Sequence, residues 1–278
     1  MKNVVISLSN QKVIIMMMMG VDTMLLTADA GNTSTVFAIY KDDILISRFR
    51  TATGNYSDEI FKDIKFDVNA AIISSVVPSE NEKLSSVIRD KFKCKVIFLD
   101  GRLDTGIKVC TDYPERVGAD LICGAASAYY KYQKAVIVFD LGTATTVCAV
   151  NSRGEYLGHS IFPGIRTSFD ALHKSAEQLP KIDENYHITD IVGKNTVASV
   201  KSGVLYGAAC FIDGMSKRYQ SVLGENAEII VTGGLGEVIL PLCSEKYIYE
   251  GNTIWIIKNY MILLMKNLKN SRSLNMSK

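Results

Sequence analysis

One turn is written twice in this chain. The stretch DAGNTSTVFAIY begins at Asp29, and DLGTATTVCAV begins at Asp140, 111 positions later. Each sets an aspartate at the end of an apolar run, a glycine two residues on, then hydroxyl side chains and a second apolar run. Aligned on the aspartates, Thr35 falls on Thr146, Val36 on Val147 and Ala38 on Ala149. A turn repeated in matching context predicts a chain built from two similar halves.

The rest of the pattern agrees. MLLTAD, TVFAIY and ILISRFR read as three strands in a meander, with a hairpin at Lys41–Asp43. SDEIFKDIK reads as a capped helix, AAIISSVV as a buried strand stopped by Pro78, then a charged helix to about Lys93 and the strand KVIFL. PERVGADLICGAASAYYKY reads as a helix with Pro114 near its start. The meander then restarts with AVIVFD, TTVCAV and EYLGHSI. The helices GIRTSFDALHKSAEQL and TVASVKSGVLYGAACFIDGMSKRY and the strand AEIIVTGG follow. Alternation of this kind predicts α/β architecture with sheets of mixed direction. The expected division is an extension over 1–23, one half over 24–138, a second over 139–265 and a polar tail over 266–278.

Bulk properties narrow the classes. With 47% hydrophobic and 22% charged residues over 278 positions, the chain can fill two modest cores. A net charge of +2 argues against nucleic acid or an anionic membrane as partner. The apolar run VIIMMMMG near the start is too short to span a bilayer, which takes about 20 residues, and NTIWIIKNYMILLM is interrupted by Lys258 and Asn259. No two of the six cysteines lie closer than 13 positions, so no zinc or redox spacing exists, and reduced thiols in a cytoplasmic protein are expected. His159, His173 and His187 lack ligand spacing and are expected to be structural or surface residues.

A strand-end aspartate followed by glycine and threonine suits a site for phosphate and cation. Glycine lets backbone N–H groups approach an anion, and hydroxyls add donors. The carboxylate itself must hold a cation, orient a water or accept a proton. Two such turns facing one another would grip a polyphosphate from both sides. IIVTGGLG adds a glycine pair at a strand end, room for a planar base or ribose. Neither a P-loop nor a Rossmann fingerprint is present.

These segments, with PERVGAD, IFPGIRTSFDALHKSAEQLP, GKNT and SGVLYG, resemble in order and content the type III pantothenate kinases of the acetate and sugar kinase, heat-shock chaperone and actin superfamily. The resemblance runs from about Met24 to Leu240. It implies two ribonuclease-H-like subdomains of actin-like kinase type, with mixed β-sheets and flanking helices. It also implies transfer of the ATP γ-phosphoryl group to pantothenate, the first step of coenzyme A synthesis, by a cytoplasmic homodimer.

By the same resemblance Asp120 matches the catalytic base. Asp29, Ala30, Gly31, Asn32, Thr33, Ser34, Thr35 and Val36, with Thr143, match ATP contacts. Gly118, Ala119, Asp120, Leu121 and Thr196 match pantothenate contacts. Asp140 matches the holder of a monovalent cation, potassium or ammonium, and magnesium accompanies ATP. The chain departs from the family in carrying Leu121 where an arginine follows the aspartate, and leucine offers no charge to an anion. Arg116 and Lys194 are the candidates to compensate. Two other readings stand beside the kinase: a non-catalytic nucleotide-binding regulator of transcriptional accessory type that keeps the fold, and a kinase for another small hydroxylated compound.

Overall fold

The computed structural model describes residues 24–41, 44–99, 105–183, 186–187, 190–224 and 226–251. The expected extension over 1–23, the tip of the first hairpin, the segment NTIWIIKNYMILLM from Asn252 and the tail over 266–278 lie outside the described residues. The chain divides into two compact units, one holding residues up to Gly106 with Tyr113–Ser127, the other Ile107–Asp112 with the residues from Ala128.

In the first unit the meander is β1 (Met24–Ala30), β2 (Ser34–Lys41) and β3 (Ile44–Ala52), followed by β4 (Ala70–Ser75), α1 (Asn81–Phe92) and β5 (Lys95–Phe98). The sheet order is β3-β2-β1-β4-β5. β1 to β3 are antiparallel neighbours, and β4 and β5 run parallel to β1. The central strands are covered on both faces, which is why β1 and β4 read as continuous apolar runs. Leu26, Ala28, Ala30, Phe37, Ile39, Ala71 and Ile73 point one way into a core closed by Phe61, Leu84 and Ile88. Leu84 and Ile88 are one helical turn apart on α1, so a single face carries the contact.

The helix expected at SDEIFKDIK is instead a single 3-10 turn, Asp58–Phe61. Ser57 makes no capping bond to it. Its apolar side chains are drawn inward together: Phe61 is fully buried against Phe37, Phe49 and Phe92. Burying a phenylalanine contributes about 1.5–3 kcal/mol, more than the propensity of one short helix supplies.

The second unit contains β6 (Lys108–Val109), the later part of α2 (Ala119–Tyr132), β7 (Val136–Leu141), β8 (Ala144–Val150), β9 (Glu155–Pro163), α3 (Ile165–Ser175), α4 (Thr196–Leu223), β10 (Glu228–Thr232), α5 (Gly236–Ile239) and β11 (Ile248–Tyr249). Its sheet order is β11-β10-β7-β8-β9-β6. From β9 to β11 this is the first sheet over again, with the same strand senses, and β6 is a two-residue parallel addition beyond β9. The expected duplication is therefore present in the topology, and the mixed α/β fold class holds. Its core joins Ile137, Phe139, Leu141 and Val147 to Ile165, Leu205, Ala209 and Ile212.

The ungapped alignment of the two turns does not survive. In the first copy Ala30 pairs with Thr35, whereas in the second Leu141 pairs with Thr145. Three residues separate β1 from β2, but only two separate β7 from β8. A slip of one residue sends alternate side chains to the other face. Thr145, not Thr146, thus takes the buried place of Thr35, and Val147 takes that of Phe37.

The helix expected from Pro114 is also interrupted. Pro114–Arg116 forms a 3-10 turn, Val117 is extended, and α2 begins at Ala119. This break puts Asp120 in the first turn of a helix.

Candidate active site

In the first unit, Asp29 is the penultimate residue of β1 and is half-buried. Ala30 is buried, and the turn that follows is tied by the Gly31 N–H to the Ser34 carbonyl at 3.1 Å. Thr53 locks it from outside: its hydroxyl donates to the Gly31 carbonyl at 2.6 Å and its N–H to that of Thr33 at 3.2 Å. Asn32 and Thr33 are exposed at the tip and Ser34 is half-buried. Thr35 and Val36 are buried, and the Thr35 hydroxyl is committed to Tyr56 at 2.6 Å and Thr53 at 3.1 Å. The side chains that this turn offers to solvent are those of Asn32 and Thr33.

Asp120 belongs to the same unit. Gly118 supplies the first helical acceptor, its carbonyl taking the Ile122 N–H at 3.1 Å, and Asp120 Oδ1 accepts the Leu121 N–H at 2.9 Å. The carboxylate lies where a helix macrodipole favours negative charge. A Cβ on Gly118 would stand 2.5 Å from Asp120 Oδ1, so the absence of a side chain there makes the carboxylate's place. Ala119 is buried, while Leu121 is half-buried and brings Cδ1 to 3.9 Å of that same point. One turn on, Cys123 is buried, and its thiol is pushed well above the usual range by burial and then by the charges of Asp29 and Asp120. Both carboxylates therefore act on one thiol, which is held protonated and unreactive.

The second unit repeats the device. The Gly142 N–H meets the Ala144 carbonyl at 3.2 Å, Thr143 is exposed, and the Thr167 hydroxyl on α3 donates to the Thr143 carbonyl at 2.7 Å. Gly164 packs directly on this turn, where a Cβ would lie 2.5 Å from the Gly142 carbonyl oxygen. Asp140 pairs in register with Thr232 of β10 and is half-buried. Gly233 follows with φ at +95°, and a Cβ on it would come within 2.6 Å of the Leu141 nitrogen and 2.7 Å of Asp140 Oδ1. Only glycine suits that position. Tyr249 holds the glycine turn from behind, its hydroxyl donating to the Gly233 carbonyl at 3.1 Å.

Thr196 is the exposed first residue of α4, capped by Asn195, whose Oδ1 accepts the Ala198 N–H at 2.9 Å. Beside it lies a cavity of about 410 Å³ lined by His187, Asp190, Lys194, Asn195, Val197 and Lys201. Lys201 is paired with Asp183 at 3.6 Å. His173 bonds the Leu179 carbonyl through Nδ1 at 2.9 Å. Among the described residues no three His, Cys, Asp or Glu side chains gather to hold a metal, and no helix is long and apolar enough to cross a membrane. Single strand-end carboxylates suit an ion that takes its remaining ligands from water and ligand phosphates, as magnesium does.

The sequence brings out Asp29, Asp120, Asp140 and the glycines around them. Thr53, Thr167 and Tyr249 escape it, because each acts on a turn distant in sequence and carries no local signal.

The family model described as type III pantothenate kinase matches residues 25–218. A type III pantothenate kinase of Desulforapulum autotrophicum is 37% identical over 253 residues, covering 86% of this chain and 94% of that protein. One from Myxococcus xanthus is 35% identical over 256 residues, covering 88% and 99%. Among solved structures, a Campylobacter jejuni protein described as a candidate Baf family transcriptional activator aligns with a TM-score of 0.55 at 20% identity, over 88% of this chain and 99% of that one. MreB5 of Spiroplasma citri bound to ADP aligns at 0.51 and 11% identity, over 91% and 99%. At such identities these two structures speak for the fold alone, an actin-like one. With the family model spanning most of the chain and relatives above one-third identity along nearly all of it, the chain belongs to the type III pantothenate kinase family.

Proposed function

We propose that this protein transfers the γ-phosphoryl group of ATP to the primary hydroxyl of pantothenate, opening coenzyme A synthesis, with Asp120 as general base. The observation that carries the reading is the Asp120 carboxylate itself. It is set in the first turn of α2, given room by Gly118, and acts with Asp29 on the buried Cys123 thiol.

Phosphoryl transfer asks for alignment, charge neutralisation and a destination for one proton. The pantothenate oxygen forms a bond to the γ-phosphorus as the bond to the β-phosphate oxygen breaks, ADP leaves, and the hydroxyl proton passes to Asp120. The Asp120 carboxylate takes that proton late, as the oxygen loses basicity. Asn32 and Thr33 in the first turn and Thr143 in the second are the exposed donors for phosphate oxygens, each turn kept rigid by a threonine hydroxyl from elsewhere in its unit. The buried members, Ala30, Thr35 and Val36, serve by fixing the turn's backbone. Magnesium bound with ATP would supply charge neutralisation at the phosphates, with Asp29 as the residue that would order its water. Asp140 would be the residue that holds a potassium or ammonium ion.

Gly118 to Leu121 and Thr196 are read as pantothenate contacts. Leu121 cannot hold the substrate carboxylate. The cavity beside Thr196, with Lys194 and the N-terminus of α4, supplies cationic character for it. The halves over 24–138 and 139–265 are read as the two lobes of the kinase. Gly203, Gly207 and Gly214 are points on α4 where a Cβ would meet nothing within 4 Å, room for a second copy to pack closely, and the protein is read as a homodimer of the cytoplasm.

Purified protein, ATP, magnesium, potassium and pantothenate in a coupled ADP assay test the reading, with 4'-phosphopantothenate identified by mass. A folded protein that binds ATP in calorimetry yet gives no pantothenate-dependent ADP is instead the non-catalytic regulator. Turnover with another hydroxylated acceptor alone indicates the third reading.

A further inference from the structure

Two serine hydroxyls of the first unit are buried without a hydrogen-bond partner among the described residues, Ser74 Oγ on β4 and Ser127 Oγ on α2. Ser74 is 0% exposed. An unsatisfied buried hydroxyl costs its desolvation, so its presence calls for a reason. For Ser127, two turns along α2 from Asp120, the structure offers none. For Ser74 it does. β4 runs parallel to β1 with Asp29 and Ser74 in register. Ala28, Ala30 and Ile73, their neighbours in sequence, point into the core of the first unit. Asp29 and Ser74 therefore share the opposite face of adjacent strands. Adjacent strands lie about 4.8 Å apart, a gap that one staggered rotation of the serine side chain lets its hydroxyl close.

We propose that Ser74 is a positioning residue for Asp29, its hydroxyl donating a hydrogen bond to the Asp29 carboxylate when magnesium and ATP load the site. The inference rests on the reading of Asp29 as part of the phosphate site. It explains why a fold would keep the hydroxyl at a cost. Before loading the group has no partner among the described residues, and on loading it fixes the carboxylate that would order metal-bound water. A serine kept for structure alone behaves differently, because its removal lowers stability and leaves ligand affinity unchanged.

The test measures the thermal midpoint of the free protein and the calorimetric Kd for magnesium–ATP in wild type, Ser74→Ala and Ser74→Thr. Ser74→Ala is expected to melt at the wild-type temperature or above it and to bind magnesium–ATP about 5- to 20-fold more weakly. Its kcat at saturating magnesium–ATP stays within about 3-fold of wild type, and Ser74→Thr restores affinity. A lower melting temperature in Ser74→Ala, or an unchanged Kd, overturns the inference. A wild-type protein that binds magnesium–ATP without phosphorylating pantothenate contradicts the functional reading alone, and the Kd comparison still decides the role of Ser74. Absence of magnesium–ATP binding by wild type overturns both.

Discussion

Gly118 and Asp120 share one space: a Cβ on the glycine would stand 2.5 Å from the carboxylate oxygen Oδ1. The carboxylate is the movable partner, so Gly118→Ala displaces it while the helix stays in place. We expect kcat to fall about 10-fold or more, because displacing a reacting group by an ångström is costly. Stability should change by no more than about 1 kcal/mol, the scale of a helix N-cap substitution. Steady-state kinetics and a denaturant melt on the same sample separate the two effects.

Gly233 and Gly234 are predicted to differ sharply. Gly233 has positive φ and no room for a Cβ, so Gly233→Ala should cost the fold about 1–3 kcal/mol. Gly234 meets nothing within 4 Å of its Cβ position, so Gly234→Ala should leave stability nearly unchanged while raising the KM for ATP. Urea titration and ATP kinetics on both variants check this, and equal destabilisation would count against the packing described.

The thiols should sort by burial. Cys110 and Cys210 are exposed, Cys94 and Cys243 are half-buried, and Cys123 and Cys148 are buried. With iodoacetamide at pH 8, Cys110 and Cys210 are expected to label first. Cys123, buried and facing two carboxylate charges, should label only on unfolding. Peptide mass spectrometry over time reads the order.

Stability should fall on the alkaline side. Burial raises the Cys243 thiol to about 12, helped by the Asp213 charge, and raises Tyr40 to about 12. An unfolded chain releases these protons first, near their ordinary values. The folded form therefore holds more protons between those values and 12, and stability declines as pH rises through that window. The thermal midpoint should drop by roughly 5 °C or more between pH 8.5 and 11. Cys243→Ala should flatten part of the slope. A midpoint constant across that range would show that these groups are not buried as described.

Much of the fold was legible because its signals are local. The Asp-x-Gly turns, the apolar strands and the doubled meander each announce themselves within a dozen residues, and the strand order bears out the duplication. The slip between Thr35 and Thr145 was not legible, since one residue of turn length settles it through core packing. The 3-10 turn at Asp58 also escaped, because burial of Phe61 overrides local propensity there, and so did the break at Val117. Within the site, Asp29, Asp120 and Asp140 could be picked out by neighbouring glycines. Thr53, Thr167 and Tyr249 could not, since nothing near them in sequence tells which turn they meet.

Leu121 follows the proposed base where an arginine was expected, so the decisive measurement tests both positions together. Potassium-dependent formation of 4'-phosphopantothenate should be measured for wild type, Asp120→Asn and Leu121→Arg under one set of conditions. The account predicts activity in wild type, a loss of about 100-fold or more in kcat for Asp120→Asn with ATP binding retained, and equal or higher activity for Leu121→Arg. Full turnover by a folded Asp120→Asn protein would contradict it.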